Sequence, residues 1–413
     1  MTLFFFEDPF YRNFEPLSIS HPVYMLLCGT SKIYEKWLNL LKCDEYGFIS
    51  RPYLAGLLNL ETGRKVNRIP EEDFLVINGR FIPSMPIVSK IIDLRVNEAL
   101  ICDDFLVAYR GNMDSGNEKK ELIENLFTAE GHEKLISLSK FKKVKLEYFG
   151  YIWDLIRSNG RMIAGEFAQF KSKPGNKTAK PNADPMIKPD DIFISESAEI
   201  APSVVIDASR GAIIVGDKAR IEPFSYIQGP CYIGAECRIV GGKIRSGSSF
   251  GPMCRVGGEV EESIMLGYSN KYHEGFLGHA YLGEWVNIGA LTTNSDLKNN
   301  YKEITVEIGG QAVNTGSMKI GCFIGDHTKT GIGTMLNTGI NIGFSCNLYG
   351  AGLFSHKRIP SFSWGDPGNI GEYRLEKAVE TASISMSRRG VNFSEVHKKL
   401  FENIYNSIEK ENN

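Results

Sequence analysis

The chain has 413 residues, of which 42% are apolar and 23% charged, and its formal net charge is −2. That length exceeds what one hydrophobic core usually organises, so more than one domain is expected. The near-neutral balance offers no electrostatic footprint for nucleic acid or an anionic membrane, which leaves a small molecule as the expected partner.

Met1 to Phe10 is apolar but contains Glu7 and Asp8, with no basic region and no small-residue cleavage site; it is not expected to be a signal peptide. No run of eighteen apolar residues occurs, so no segment is expected to span a bilayer. Eight cysteines lie scattered in apolar stretches without a CxxC pair, the pattern of reduced core thiols in a cytoplasmic protein. Residues 1–170 alternate apolar runs (LFFF, DFLVING, ALICDDFLVAYR) with amphipathic segments, which predicts an α/β domain. Residues 171–191 are polar with four prolines and read as a linker.

A different texture runs over residues 192–360. Aliphatic residues recur every six positions, at Ile194, Ile200 and Ile206, then at Val215, Ile221, Ile227, Ile233 and Ile239, and again at Met318, Ile324, Leu336, Ile342 and Leu348, with Thr330 filling the one place between Ile324 and Leu336. Six is not a helical period and is too long for simple strand alternation. A short strand and a tight corner account for it: each hexad makes one side of a triangular coil, its aliphatic residue points to the axis, and stacked coils share one core. About six or seven coils are expected, above the three-repeat minimum. A β-sandwich, with turns every 8 to 12 residues, would not hold a register of six through five consecutive hexads.

The hexads lapse between Val256 and Leu282 and again after Ile288. Polar loops on a rigid repeat scaffold are where function is expected. An imidazole is the side chain suited to act as a base near neutral pH, and an amide or backbone N–H can serve as a fixed donor to a developing negative charge. His273 is the candidate base, with His279 and His327 as rivals; the amide of Asn287 is the candidate donor, and Arg255 and Lys271 are candidates to neutralise a phosphate. After Pro360, Leu375, Val379 and Ile384, then Val396, Leu400, Ile404 and Ile408, show helical spacing, so residues 361–413 should form two helices parted near Gly390. The basic Lys357, Arg358, Arg388 and Arg389 read as surface charge, with coenzyme A phosphates as the other role.

The hexad pattern resembles the hexapeptide-repeat transferases, which implies a left-handed β-helix assembling as a trimer. More closely, GGEV, GYSNKYHEGFLGHAYLGEWVNIGA and NSDLKNNY resemble the bifunctional N-acetylglucosamine-1-phosphate uridylyltransferase/glucosamine-1-phosphate acetyltransferase family, in its shorter bacterial branch. The resemblance implies His273 as catalytic base, Asn287 at the substrate and acetyl-CoA site, and sugar-phosphate contacts from Arg255, Lys271, Phe276 and Asn294. Phe276 stands where the family has a tyrosine. LSISHPVYMLLCGTSKIYEKW, LVINGRFIPS and YIWDLIRSNG resemble the same branch, the first at the place of a nucleotide-binding loop. Gly29, Lys36, Asn78 and Arg80 are thereby implied as nucleotide contacts, and Asp154 as a magnesium ligand. The family's Gly-rich loop is reduced to Gly29, and His21 and Leu27 replace expected arginines. The whole implies acetyl transfer from acetyl-CoA to an amino-sugar 1-phosphate, with nucleotidyl transfer before it. Two alternatives stand beside that: nucleotidyl transfer alone, and a non-catalytic sugar-nucleotide-binding trimer.

Overall fold

The computed structural model describes residues 1–70, 72–112, 117–172, 185–350 and 352–412, so most of the expected linker, 173–184, lies outside the described residues. The N-terminal part is the expected α/β unit. Its six-stranded sheet runs Tyr46–Ile49, Thr2–Phe6, Phe74–Asn78, Phe105–Gly111, Glu98–Cys102, Lys140–Lys143. Thr2–Phe6 is parallel to both neighbours, and Leu3 and Phe5 enter one core while Phe4 and Phe6 enter the core on the other face. That double burial is why LFFF shows no alternation. Helices follow in the order α1 (Ile33–Leu41), α2 (Ala55–Thr62), α3 (Met85–Ile92), α4 (Asn117–Glu124), α5 (Ala129–Ser137) and α6 (Ile152–Ser172).

From Ile192 the chain winds into a three-sided solenoid with the form of a left-handed β-helix. One side is a parallel sheet of nine strands, from Ile192–Ile194 to Arg358–Ile359, which gives nine coils rather than six or seven. The inward rows Ile206, Ile227 and Ile244, and Ile221, Ile239 and Val256, are fully buried in one continuous core. The extra coils come from the stretch taken for a lapse. Stacked partners lie 18 residues apart at Ile213 and Cys231, then 17 at Cys231 and Ser248, 15 at Ser249 and Ile264, 17 at Ile264 and Tyr281, and 18 again at Cys322 and Ile340. The coils continue without a break; corners shortened by one to three residues destroy the six-residue register. The second interruption is a true insertion, and it carries a hairpin of Thr305–Ile308 and Gln311–Asn314.

The N-terminal unit lies on the nine-stranded face. Phe14, Leu17, Leu27 and Cys28, with Ile152, Trp153 and Ile156 of α6, share a core with Ile264, Tyr281 and Phe323 of the solenoid and Ile304 and Val306 of the hairpin region. After the last coil, α7 (Leu375–Ser387) and α8 (Glu395–Asn412) form the expected pair of helices. They bridge the two parts, because Leu400, Phe401 and Ile404 meet both Phe344 and Phe362 of the solenoid and Leu54 and Leu57 of the N-terminal unit. All eight cysteines are free and seven are buried, as expected of core thiols. No helix among the described residues is long and apolar enough to cross a membrane.

Candidate active site on the solenoid

A solenoid repeats its geometry, so equivalent residues of successive coils stack in columns about 4.8 Å apart. One outward column runs Arg238, Arg255, Asn270, Asn287, Lys329, Asn347. Two cavities open beside it. The first, about 350 Å³, is bordered by Arg255, Tyr272, His273, Asn287 and Ile288; the second, about 370 Å³, lies between the column and α7. They share Arg255, Asn270 and Asn287, so the structure brings together three residues named from the sequence: His273, Asn287 and Arg255. His273 is exposed, and its ring meets Tyr272 edge-on at 5.1 Å.

The amide of Asn287 is aimed by a relay. An arginine can only donate, so Arg389 Nη2 fixes the oxygen of Asn270 toward itself at 2.6 Å. The Asn270 Nδ2 then faces Asn287 Oδ1, 3.1 Å away, and the Asn287 Nδ2 is left as the free donor. Such a preset donor is what an oxyanion requires. Asn270 and Arg389 were not assigned to this role from sequence; tracing the column through the 17-residue step from 270 to 287 would have found the first.

Lys271 is corrected. Its partner in the preceding coil is Val256, an inward residue, so the lysine occupies an apolar row inside the coil and is 1% exposed. Its ammonium donates to the carbonyls of Gly257 and His273, and burial lowers it to about 8. It therefore ties down the His273 corner from inside and cannot reach a sugar phosphate in the cleft. Phe276 and Asn294 belong to the next corner and line neither cavity. Asn294 is buried and clasps both the N–H and the carbonyl of Gly278, a staple between coils. On that corner His279 Nδ1 meets Asp296 Oδ2 at 2.7 Å, an imidazole–carboxylate pair at the base of the insertion. His327 is sealed among Trp285, Phe344 and Phe401, and burial holds it neutral at about 3.

In the N-terminal unit the sequence candidates are engaged within the chain. Gly29, at φ +74°, gives its N–H to Asn159 Oδ1 (2.6 Å), and its carbonyl accepts from Ser249 of the solenoid (2.8 Å). Lys36 is paired with Glu166, which also binds Thr30. Asn78 and Arg80 both hold Asp8, at 2.9 and 2.5 Å, and the Arg80 guanidinium lies 4.1 Å from the Phe105 ring centre. Asp154 accepts from the N–H groups of Gly150 and Tyr151, both 2.9 Å away, as a cap at the start of α6. Glu7 and Asp8 are each matched by an arginine, and the Asp154 carboxylate is committed to the start of α6, so these carboxylates are spent on contacts within the protein.

Among relatives, the chain is 35% identical over 91 residues to the "Bifunctional sugar-1-phosphate nucleotidylyltransferase/acetyltransferase" of Sulfurisphaera tokodaii, covering 22% of this chain and 23% of that one. It is 30% identical over 179 residues to the "Bifunctional protein GlmU" of Synechococcus sp. (strain JA-3-3Ab), covering 38% of this chain and 26% of that one. The chain thus spans about a quarter of the length of these curated relatives. A solved structure of a putative acetyltransferase from Bacillus cereus aligns at 18% identity and a TM-score of 0.24, over 51% of this chain and 91% of that one. Residues 3–174 match the sugar nucleotidyl transferase family, so the N-terminal unit carries the sequence pattern of that family.

Proposed function

We propose that the solenoid cleft is the site of an N-acyltransferase, moving an acetyl group from acetyl-CoA to the amine of an amino-sugar 1-phosphate. The observation that carries this reading is the convergence of His273, the aimed amide of Asn287 and the Arg255 guanidinium on two adjoining cavities. The amine attacks the thioester carbonyl while His273 takes its proton. The Asn287 Nδ2 donates to the oxyanion as the C–N bond forms. The tetrahedral intermediate then expels the coenzyme thiolate, which regains a proton from His273, and Arg255 faces the sugar phosphate. The name of the Sulfurisphaera tokodaii relative, a nucleotidylyltransferase/acetyltransferase, supports the same chemistry. A cytoplasmic homotrimer, in which neighbouring subunits would flank this cleft, completes the reading.

The family match over residues 3–174 favours a second reading, in which the N-terminal unit transfers a nucleotidyl group. The engagement of Gly29, Lys36, Asn78 and Arg80 weighs against it, and no step is assigned to magnesium there. One experiment decides both. Full-length protein is given glucosamine 1-phosphate and acetyl-CoA and free thiol is followed; UTP or dTTP with sugar 1-phosphates and magnesium is then tested for pyrophosphate release. Thiol release abolished by His273→Ala is the expected result. Thiol release unchanged in that variant overturns the site. No product in either arm leaves a sugar-nucleotide-binding protein.

A further inference from the structure

Lys329 follows Asn287 in the outward column, about 4.8 Å along it, and its side chain borders the cavity of about 370 Å³. Its amine keeps selective company. Nζ donates to the carbonyls of Trp285 and His327, at 2.8 and 3.0 Å, and it has no carboxylate partner among the described residues. Two acceptors match the two N–H bonds of a neutral amine, whereas an ammonium carries a third. The neutral form leaves a lone pair in that third place. Burial accordingly lowers this lysine to about 7, against the opposing charge of Asp326. Lys271 holds two corner carbonyls in the same way, but it faces the axis and is 1% exposed, whereas Lys329 faces outward and is partly exposed. The two lysines differ in access. An amine with its lone pair unspent, one coil from an amide aimed to receive an oxyanion, has what an acyl acceptor needs.

We propose that Lys329 is a site of self-acylation, taking the acyl group of a thioester that occupies the cleft without an acceptor sugar. The lone pair of Nζ attacks the thioester carbonyl and forms the C–N bond while Asn287 Nδ2 donates to the oxyanion. Collapse of the intermediate breaks the C–S bond, and the departing thiolate takes the proton that the nitrogen gives up. A secondary amide and a free thiol result. The amide keeps a single N–H, so one of the two corner carbonyls loses its donor, and the acyl group fills part of the cavity. Acylation therefore inactivates the site. The identity of the donor rests on the acyl-transfer reading; the placement of the amine does not.

The test incubates full-length protein with acetyl-CoA alone, maps acetylated lysines by peptide mass spectrometry and follows free thiol. Lys329 should gain an acetyl group with a matching release of thiol, faster by about tenfold or more than the exposed Lys140 and Lys143. Lys271 should stay unmodified. Asn287→Ala, provided it melts as the wild type does, should slow acetylation of Lys329 by about tenfold or more. Steady thiol release to glucosamine 1-phosphate, with Lys329 unmodified when the sugar is withheld, overturns the proposal and leaves the acyl-transfer reading intact. Acetylation of Lys329 in a protein that never turns over glucosamine 1-phosphate keeps the proposal and removes that reading. Acetylation of Lys329 no faster than that of Lys140 and Lys143, or unchanged in Asn287→Ala, also overturns it.

Discussion

The junction between the N-terminal unit and the solenoid is pinned by a buried ion pair whose strength should vary with pH in a defined window. His21 Nε2 lies 2.6 Å from Asp326 Oδ2, the same oxygen accepts from Ser20 Oγ at 2.9 Å, and the other oxygen accepts from the Glu284 N–H at 2.8 Å. Burial alone would lower His21, but the Asp326 carboxylate, with Glu284 and Glu61 beyond it, outweighs that and raises the imidazole from 6.5 to about 9. A group raised in the folded state contributes fully below its unfolded value and loses that contribution as pH rises through its folded value. The pair should therefore stabilise the junction below about pH 6.5 and cease to do so above about pH 9. The difference is 9 minus 6.5, and at 1.36 kcal/mol for each unit it amounts to about 3 kcal/mol. Urea unfolding of the wild type and of the double variant His21→Gln/Asp326→Asn, at matched m-values, isolates the pair from the rest of the titration. The stability gap between the two proteins should shrink by about 3 kcal/mol between pH 6 and pH 9.5. A gap that stays constant across that range would refute the ion pair as the source.

The remaining predictions concern the cleft and the core. Asn287→Ala should lower kcat by about 100-fold or more with little change in KM, as expected when an oxyanion donor is lost; steady-state thiol release measures both. Lys271→Met replaces an inward ammonium by an apolar side chain, so the melting temperature at pH 7 should rise while kcat falls because the His273 corner is released; the rise should shrink as pH climbs from about 8, the folded value of the lysine, and be gone only above 10.5, its ordinary value. Ile239→Ala, in a fully buried row, should cost about 2–5 kcal/mol in urea unfolding.

The coils were legible because an inward row must be apolar in every turn, and Ile221, Ile239 and Val256 repeat that demand whatever lies outside. The register failed where corners shortened: with stacked partners 15 and 17 residues apart, a six-residue ruler slides off the inward row within one coil. Lys271 was misread for the same reason, because only the register to Val256 reveals that it faces the axis. His273 and Asn287 could be named by their chemistry and by resemblance, but the relay that aims Asn287 could not. It joins Arg389 to Asn270 across 119 residues, and no local pattern encodes that contact.

The fate of the segment around Gly29 follows from the same geometry. A phosphate-binding loop works by turning free N–H groups toward a ligand. Here the N–H of Gly29 is bound by Asn159, that of Thr30 by Glu166, and the Gly29 carbonyl is fastened to Ser249. Residues 3–174 match the sugar nucleotidyl transferase family, and within them the segment around Gly29 is part of the surface by which the unit seats on the solenoid. Separating the two parts would break the bond from Ser249 to the Gly29 carbonyl and expose the apolar side chains of Leu27 and Ile156. α8 packs on both parts and α7 packs on α8, so the helix that ends beside Arg389 and Asn270 is tied through α8 to the N-terminal unit as well as to the solenoid.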